Sequence, residues 1–294
     1  MLNDIKKGSL NFNFSLFFLN KIIKKNILIL YSWCRYCDDI IDNEILGFKK
    51  KNFNIKNKIL NIHNFILNTQ KIYCNLNVKE YHFNNLKKII YKYNISPIYI
   101  FDNIKGYLID FKKKKYNTFK DILNYCYYIA GIIGVIIIKI IIKNYNYNLL
   151  NNACNLGIAF QLTNISRDII LDYKNKRCYL PNYLFNKINL NKFNYFKKKK
   201  RKYLFIIVKK IINKSKLYYN LSLNILYLLP IKLFLTIFIS YKIYNKIGKK
   251  IILNKEKSWN KRQKINFFEK ILILINILIK LLYNKIKILN IYKY

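Results

Sequence analysis

With 294 residues, 53% of them apolar, the chain is long enough to bury a substantial core, and its formal net charge is +42. An excess of 55 basic over 13 acidic residues ordinarily points to nucleic acid or an anionic membrane. Here Lys, Asn, Ile, Tyr and Phe dominate while Ala, Arg, Pro and Gly are scarce, as AT-rich codons dictate, so the charge reflects base composition and nucleic acid is not an expected partner.

Apolar residues recur at i, i+3, i+4 and i+7 in segments such as 26 to 42, 120 to 142, 149 to 172, 203 to 228 and 231 to 253, which predicts an all-α fold. These patterns outrun a typical strand. Pro97, Pro181 and Pro230 punctuate them at helix boundaries. The run 125 to 142 approaches the apolarity of a membrane span, but Lys139 interrupts it, and a buried central helix is expected. The end of the chain, 271 to 294, is broken by Lys280, Lys285 and Lys287 and reads as an amphipathic helix. No Pro-, Gly- or Ser-rich linker divides the sequence, so one domain over 1–294 is expected. The first residues lack the apolar core of a secretory signal, and six scattered cysteines fit a reducing, cytoplasmic interior. Cys34 and Cys37 form a lone CxxC with too few companions for zinc, and His63 and His82 do not suggest histidine catalysis.

Against this background the acidic residues are unevenly placed. Five of the nine aspartates fall in two short windows, "YSWCRYCDDIID" (31–42) and "QLTNISRDIILDYKNKRCYLP" (161–181). On a helix Asp38 and Asp42 share one face, and Asn164, Asp168 and Asp172 repeat at i, i+4 and i+8. Facing each other across a cavity, the two rows would offer oxygen ligands to a hard cation such as Mg²⁺. Three of the five arginines, Arg35, Arg167 and Arg177, accompany them, as expected where a diphosphate must be gripped bidentately. The bland alternative makes Arg35 and Arg167 salt-bridge partners of Asp38 and Asp168. Arg201, in "KKKKRK", reads as a solvated surface charge.

"YSWCRYCDDIIDNEILGF" and "AFQLTNISRDIILDYKNKRCYLP" resemble the two aspartate-rich motifs of the squalene/phytoene synthase family, bacterial members above all. The resemblance extends through "SPIYIFDNIKGYLID", "LNYCYYIAGIIG", "YNKIG" and "SWNKRQ", from about residue 8 to residue 270. It implies the all-α isoprenoid synthase fold, a central cavity with both Asp motifs at its mouth, and a prenyltransferase reaction. Two molecules of geranylgeranyl diphosphate would join head to head through prephytoene diphosphate to give phytoene, the first committed step of carotenoid biosynthesis. Mg²⁺, or Mn²⁺ in its place, would be held by Asp38, Asp42, Asn164, Asp168 and Asp172, and no NADPH is expected.

The same resemblance makes Tyr31 and Tyr125 catalytic along with the four aspartates. It assigns Arg35, Arg167, Arg177, Gln161, Tyr128, Tyr244, Ser9 and Phe12 to substrate. The family's Ser-x-Ser-Phe stretch reads Ser9-Leu10-Asn11-Phe12 here, and Lys105 stands where relatives often carry an acid. Gly131, Gly134, Ala153, Gly157 and Ala159 would leave room for polyprenyl tails. Lipid substrates imply peripheral contact with the inner membrane, and other carotenoid-pathway enzymes are partners in prospect. The alternatives are a squalene or dehydrosqualene synthase acting on farnesyl diphosphate and, in a different class, a basic membrane- or RNA-binding protein.

Overall fold

A computed structural model describes residues 14–42, 44–45, 49–50, 55–112, 115–188, 190, 195, 197–223 and 229–291. Among them the chain is helical apart from one antiparallel pair of two-residue strands, Glu44–Ile45 with Lys49–Lys50. The helices are α1 (Lys21–Asp42), α2 (Ile55–Tyr73), α3 (Tyr81–Tyr93), α4 (Pro97–Phe111), α5 (Phe119–Ile141), α6 (Tyr147–Lys174), α7 (Asn182–Lys187), α8 (Arg201–Leu223), α9 (Ile231–Asn254) and α10 (Phe267–Ile291).

Their ends follow from local chemistry. Glu80 caps α3 by accepting from the backbone N–H groups of His82 and Phe83, and Asn146 caps α6 through Leu149. Thr118 and Asp121 form a reciprocal capping box on α5. Pro97 occupies the first turn of α4 and Pro181 and Pro230 precede α7 and α9, where a missing N–H does no harm. At the far end of α6, Lys176 takes a left-handed φ of 59°. The Arg177 N–H then donates back to the Asp172 carbonyl at 2.8 Å, a Schellman closure that returns Arg177 toward the last turn of the helix.

One body of core gathers α1 to α4 with the later half of α5, around Trp33, Phe65, Phe83 and Ile136. Trp33 stacks on Phe65 at 6.0 Å and meets Tyr107 edge-on. A second gathers the start of α5 with α6, α8 and α9, around Ile122, Leu162, Ile207 and Ile243. Helix α5 therefore serves both. It is long and apolar enough to cross a membrane, yet Ile132, Val135, Ile136, Ile138 and Ile140 are buried by its neighbours, as expected of a central helix.

Helix α5 is interrupted at Tyr127–Gly131 by a π-turn, a device that re-aims side chains and recurs at functional sites. Here α5 and α6 come unusually close. A Cβ on Gly157 would collide with the Ala130 carbonyl and come within 2.9 Å of Gly131 Cα, and one on Gly134 would strike the Ala153 carbonyl. The small residues thus serve helix contact first; Gly134, Ala153 and Gly157 also line the cavity beside it.

Candidate active site

Helices α1, α5, α6 and α9 enclose a cavity of about 280 Å³. Along α1 its wall is Ile27, Leu30, Tyr31, Cys34 and Asp38; along α6 it is Leu149, Ala153, Leu156, Phe160, Gln161 and Asn164. Those spacings each trace one helical face. Both rows end polar, with Asn152 the one polar group near the start of the α6 row, over roughly 16 Å on α1 and roughly 22 Å on α6 at 1.5 Å per residue. From α5 come Ile129, Ile133, Ile137 and Ile141, and from α9 Ile237 and Tyr244. The result is a mainly hydrocarbon-lined chamber with Asp38, Gln161 and Asn164 at one end and Asn152, Ser222, Thr236 and Ser240 elsewhere on its wall.

At that end Arg35 sits 3.9 Å from Asp38 and donates from Nη2 to the Tyr31 hydroxyl at 3.5 Å. Asn164 Nδ2 lies 3.4 Å from Gln161 Oε1. Tyr244 stacks on Phe160 at 4.4 Å and lies within electrostatic reach of Tyr31, Arg167, Asp168 and Arg262, which connects the cavity to the second aspartate cluster. Both oxygens of Asp168 are taken by guanidinium groups. Arg167 donates from Nε at 2.9 Å and Nη2 at 2.5 Å, and Arg262 from Nε at 2.7 Å and Nη2 at 2.8 Å. Burial would raise the Asp168 carboxyl, but the bonds from Arg262 and Arg167 outweigh it and hold it below its usual range. One turn on, Asp172 is pushed well above its usual range, by burial first and then by the Asp168 charge.

The donor set can be tested against a hard cation. Asn164 lines the cavity, and its Oδ1 is buried with no hydrogen-bond partner, an unsatisfied acceptor at the site. Arg177 and Arg167 act to keep Asp172 ionised but do not offset its burial and the Asp168 charge. A divalent ion would satisfy both, and Asp38 on the opposite wall is half exposed and accessible to it. Among the described residues no three His, Cys, Asp or Glu side chains converge tightly enough to hold a metal alone. Mg²⁺ takes one or two carboxylates and completes its shell with substrate oxygens, which is compatible with so sparse a protein set. On these grounds the residues fit the ion.

Other sequence-singled residues lie elsewhere. Tyr125 does not line the cavity: it is buried, stacks on Tyr179 at 4.8 Å, and both hydroxyls donate to Asp110 at 2.8 Å. Tyr128 sits on the π-turn with its carbonyl bound by Asn103, and its ring faces Lys105 rather than the cavity. Lys105 itself bonds Asp102 at 2.7 Å, and Asp102 also accepts from Tyr127. Arg177 lies within electrostatic reach of Asp172, Tyr116 and Tyr179, away from the cavity wall. Asp42 ends α1 with its side chain outside the described residues, where Ser9 and Phe12 also fall.

The bland pairing is present too, since Arg35 meets Asp38 and Arg167 meets Asp168. Sequence reasoning passed over Phe160 and Arg262. Scarcity was the available signal for the latter, because it is one of only five arginines and stands in "SWNKRQ". Arg201 is not simply solvated: it donates to Asn260 Oδ1 at 2.7 Å, bracing the turn that carries Arg262.

The squalene/phytoene synthase family model matches residues 5–269. A 15-cis-phytoene synthase of Pantoea ananas is 32% identical over 252 residues, 86% of this chain and 81% of that one. A phytoene synthase of Pseudescherichia vulneris is 30% identical over 267 residues, 91% of this chain and 86% of that one. Among solved structures, a dehydrosqualene synthase in complex with ligand superposes with a TM-score of 0.83 at 21% identity, covering 95% of this chain and 94% of its own. A squalene synthase from Alicyclobacillus acidocaldarius gives 0.74 at 15%, covering 86% and 92%. The isoprenoid synthase fold follows from these superpositions, and from the match over residues 5–269 the chain belongs to the squalene/phytoene synthase family.

Proposed function

We propose that this prenyltransferase acts as a phytoene synthase, one catalytic domain that joins two geranylgeranyl diphosphates head to head on the way to carotenoids. The observation that carries the reading is the chamber itself: mainly apolar along α1, α5 and α6, with Asp38, Gln161 and Asn164 at one end. A long hydrocarbon fits the first part and a diphosphate with its cation the second.

Bound Mg²⁺ supplies charge neutralisation for the departing diphosphate. Asp38 and Asp42 on α1 and Asn164, Asp168 and Asp172 on α6 are the residues that would hold it. Arg35, Arg167 and Arg262 offer guanidinium groups to the same anion. Breaking the allylic C–O bond sends its electron pair to the diphosphate and leaves a carbocation in the chamber. The chain's task is then to exclude water and face the cation with electron-rich rings. Tyr31, Phe160 and Tyr244 are in position on the wall, each worth about 0.5–2 kcal/mol to a neighbouring cation. The enzyme works in the cytoplasm at the inner membrane surface, where its polyprenyl substrates and product reside.

The test is a product assay with Mg²⁺, no NADPH, and either geranylgeranyl or farnesyl diphosphate, with the hydrocarbon identified by mass. A C40 product with a conjugated triene from the longer substrate is expected. A C30 product alone would move the assignment to the squalene-type branch. Folded protein that makes neither would overturn the enzymatic reading.

A further inference from the structure

Helix α10 carries a broad apolar face beside a polar edge of Glu269, Asn276 and Lys280, and among the described residues only one side of it is covered. Toward α9 it buries Lys270 and Ile277, and Glu269 bonds Lys246 and Lys250. On the other side Phe268 is 78% exposed, Leu272 51%, Ile275 45%, Ile279 57% and Tyr283 67%. At 100° per residue these five share a sector of roughly 80°. Flanking the stripe, Phe267 is 67% exposed and meets Phe14 of the N-terminal turn edge-on at 6.3 Å, and on that turn Phe17 is 75% exposed. A contiguous apolar face of this kind is not left bare on a monomer in water.

Charge decides what covers it. Beside the stripe, Lys249 and Lys280 are exposed, and both act on Lys242, whose ammonium is destabilised first by burial and then by these two neighbours. Beyond Glu269 the chain has no further acidic residue and carries Lys280, Lys285, Lys287 and Lys293. A second copy would bring a net charge of +42 against the same sign. An anionic lipid surface offers both an apolar layer and compensating charge.

We propose that the outer face of α10, with Phe17, is the surface by which this protein lies flat on an anionic bilayer. The assignment rests on the membrane contact in the reading above and gives it a location. It also supplies an exit. Helix α9 carries α10 on one flank and lines the cavity with Thr236, Ile237 and Ser240 on another, and Leu16 lines the cavity while its neighbour Phe17 faces outward. A hydrocarbon product leaving near Leu16 emerges beside the acyl layer rather than into water.

Flotation of the full chain with vesicles of phosphatidylcholine and phosphatidylglycerol, and with phosphatidylcholine alone, tests this. Wild type should float with the anionic vesicles and stay partly bound when salt is raised. Leu272→Asn/Ile275→Asn/Ile279→Asn should lose about tenfold or more of that partitioning while keeping its helical circular dichroism and melting point. As a second variant, Ile275→Trp should keep binding and show a blue shift of its emission on anionic vesicles. Flotation of the triple variant equal to wild type would overturn the proposal in favour of adsorption by charge alone. So would a wild-type dimer in light scattering that the triple variant dissolves without any change in flotation. Product formation from detergent-dispersed substrate separates the two readings. If wild type floats as expected and makes no hydrocarbon, the docking face stands and the activity falls.

Discussion

Arg262 reaches across the fold to Asp168 and grips both carboxylate oxygens, Nε to Oδ1 at 2.7 Å and Nη2 to Oδ2 at 2.8 Å. Arg167 holds the same two oxygens from the neighbouring position. A carboxylate so engaged is positioned and kept ionised, but it has no oxygen to spare for a cation until one guanidinium lets go. Arg262 is the mobile candidate, because its side chain is 49% exposed while that of Arg167 is 11% exposed. Lysine keeps the charge and loses the fork. Arg262→Lys should therefore melt within a few degrees of wild type and lose about 10- to 100-fold in kcat/KM for hydrocarbon formation. An unchanged rate would make the contact purely structural.

Asn164 separates stability from function. Its Oδ1 is buried without a hydrogen-bond partner and its Nδ2 contact to Gln161 is long at 3.4 Å, so the folded state gains little from the amide. Leucine of similar shape removes the unsatisfied acceptor. Asn164→Leu should hold its melting temperature or raise it by about 2 °C, while product formation falls about 100-fold or more through loss of the cation ligand. Thermal melts with and without Mg²⁺ add a second readout: wild type should be stabilised by the ion and the variant less so. Equal stabilisation of the two would remove Asn164 from the ligand set.

Much of this was legible in the sequence. Period-3.6 patterning located α1, α5, α6, α8 and α9 within a few residues, because long amphipathic runs leave little choice of element. The aspartate windows were conspicuous because acidic residues are so few. Side-chain destinations were less legible. Tyr125 has the same local appearance as Tyr31, but one meets Asp110 and Tyr179 in the core and the other faces the cavity, a difference set by contacts distant in sequence. Arg262 was missed for the same reason, since nothing local says that a turn near the end of the chain reaches α6.

The glycines at the α5–α6 crossing and the glycine of α9 should respond oppositely to alanine. At Gly157 a Cβ would run into the Ala130 carbonyl and Gly131 Cα, backbone atoms that move only if the helices part. Gly157→Ala is expected to destabilise by about 1–3 kcal/mol and to widen the cavity wall, lowering activity with it. At Gly248 the nearest atom is Ile212 Cγ2 at 3.8 Å, ordinary contact, and the residue sits inside a helix. Gly248→Ala should stabilise by up to about 1 kcal/mol through helix propensity alone. Urea titrations of both variants decide the matter, and the same sign for both would refute the close-approach account.

Glu269 fastens α10 to α9, and its effect should depend on pH in a defined window. Its carboxylate accepts from Lys250 at 2.8 Å, lies 3.2 Å from Lys246, and takes the Asn266 N–H at 3.0 Å while Asn266 Oδ1 accepts from the Glu269 N–H, a capping box on the first turn. Burial acts to raise this carboxyl, but Lys250, the Asn266 N–H and Lys246 prevail and bring it from 4.5 down to about 2. Because the folded-state value is depressed, the stabilisation is complete above 4.5 and drains away as pH falls toward about 2, where the folded carboxylate also takes up its proton. Glu269→Gln should thus be less stable than wild type at pH 7, and the gap in melting temperature should close between pH 4.5 and about 2. Melting both proteins across that range isolates Glu269 from every other carboxylate, since all the rest are common to the pair. A gap that stays constant down to the acid limit would show that the glutamate holds α10 through packing rather than charge.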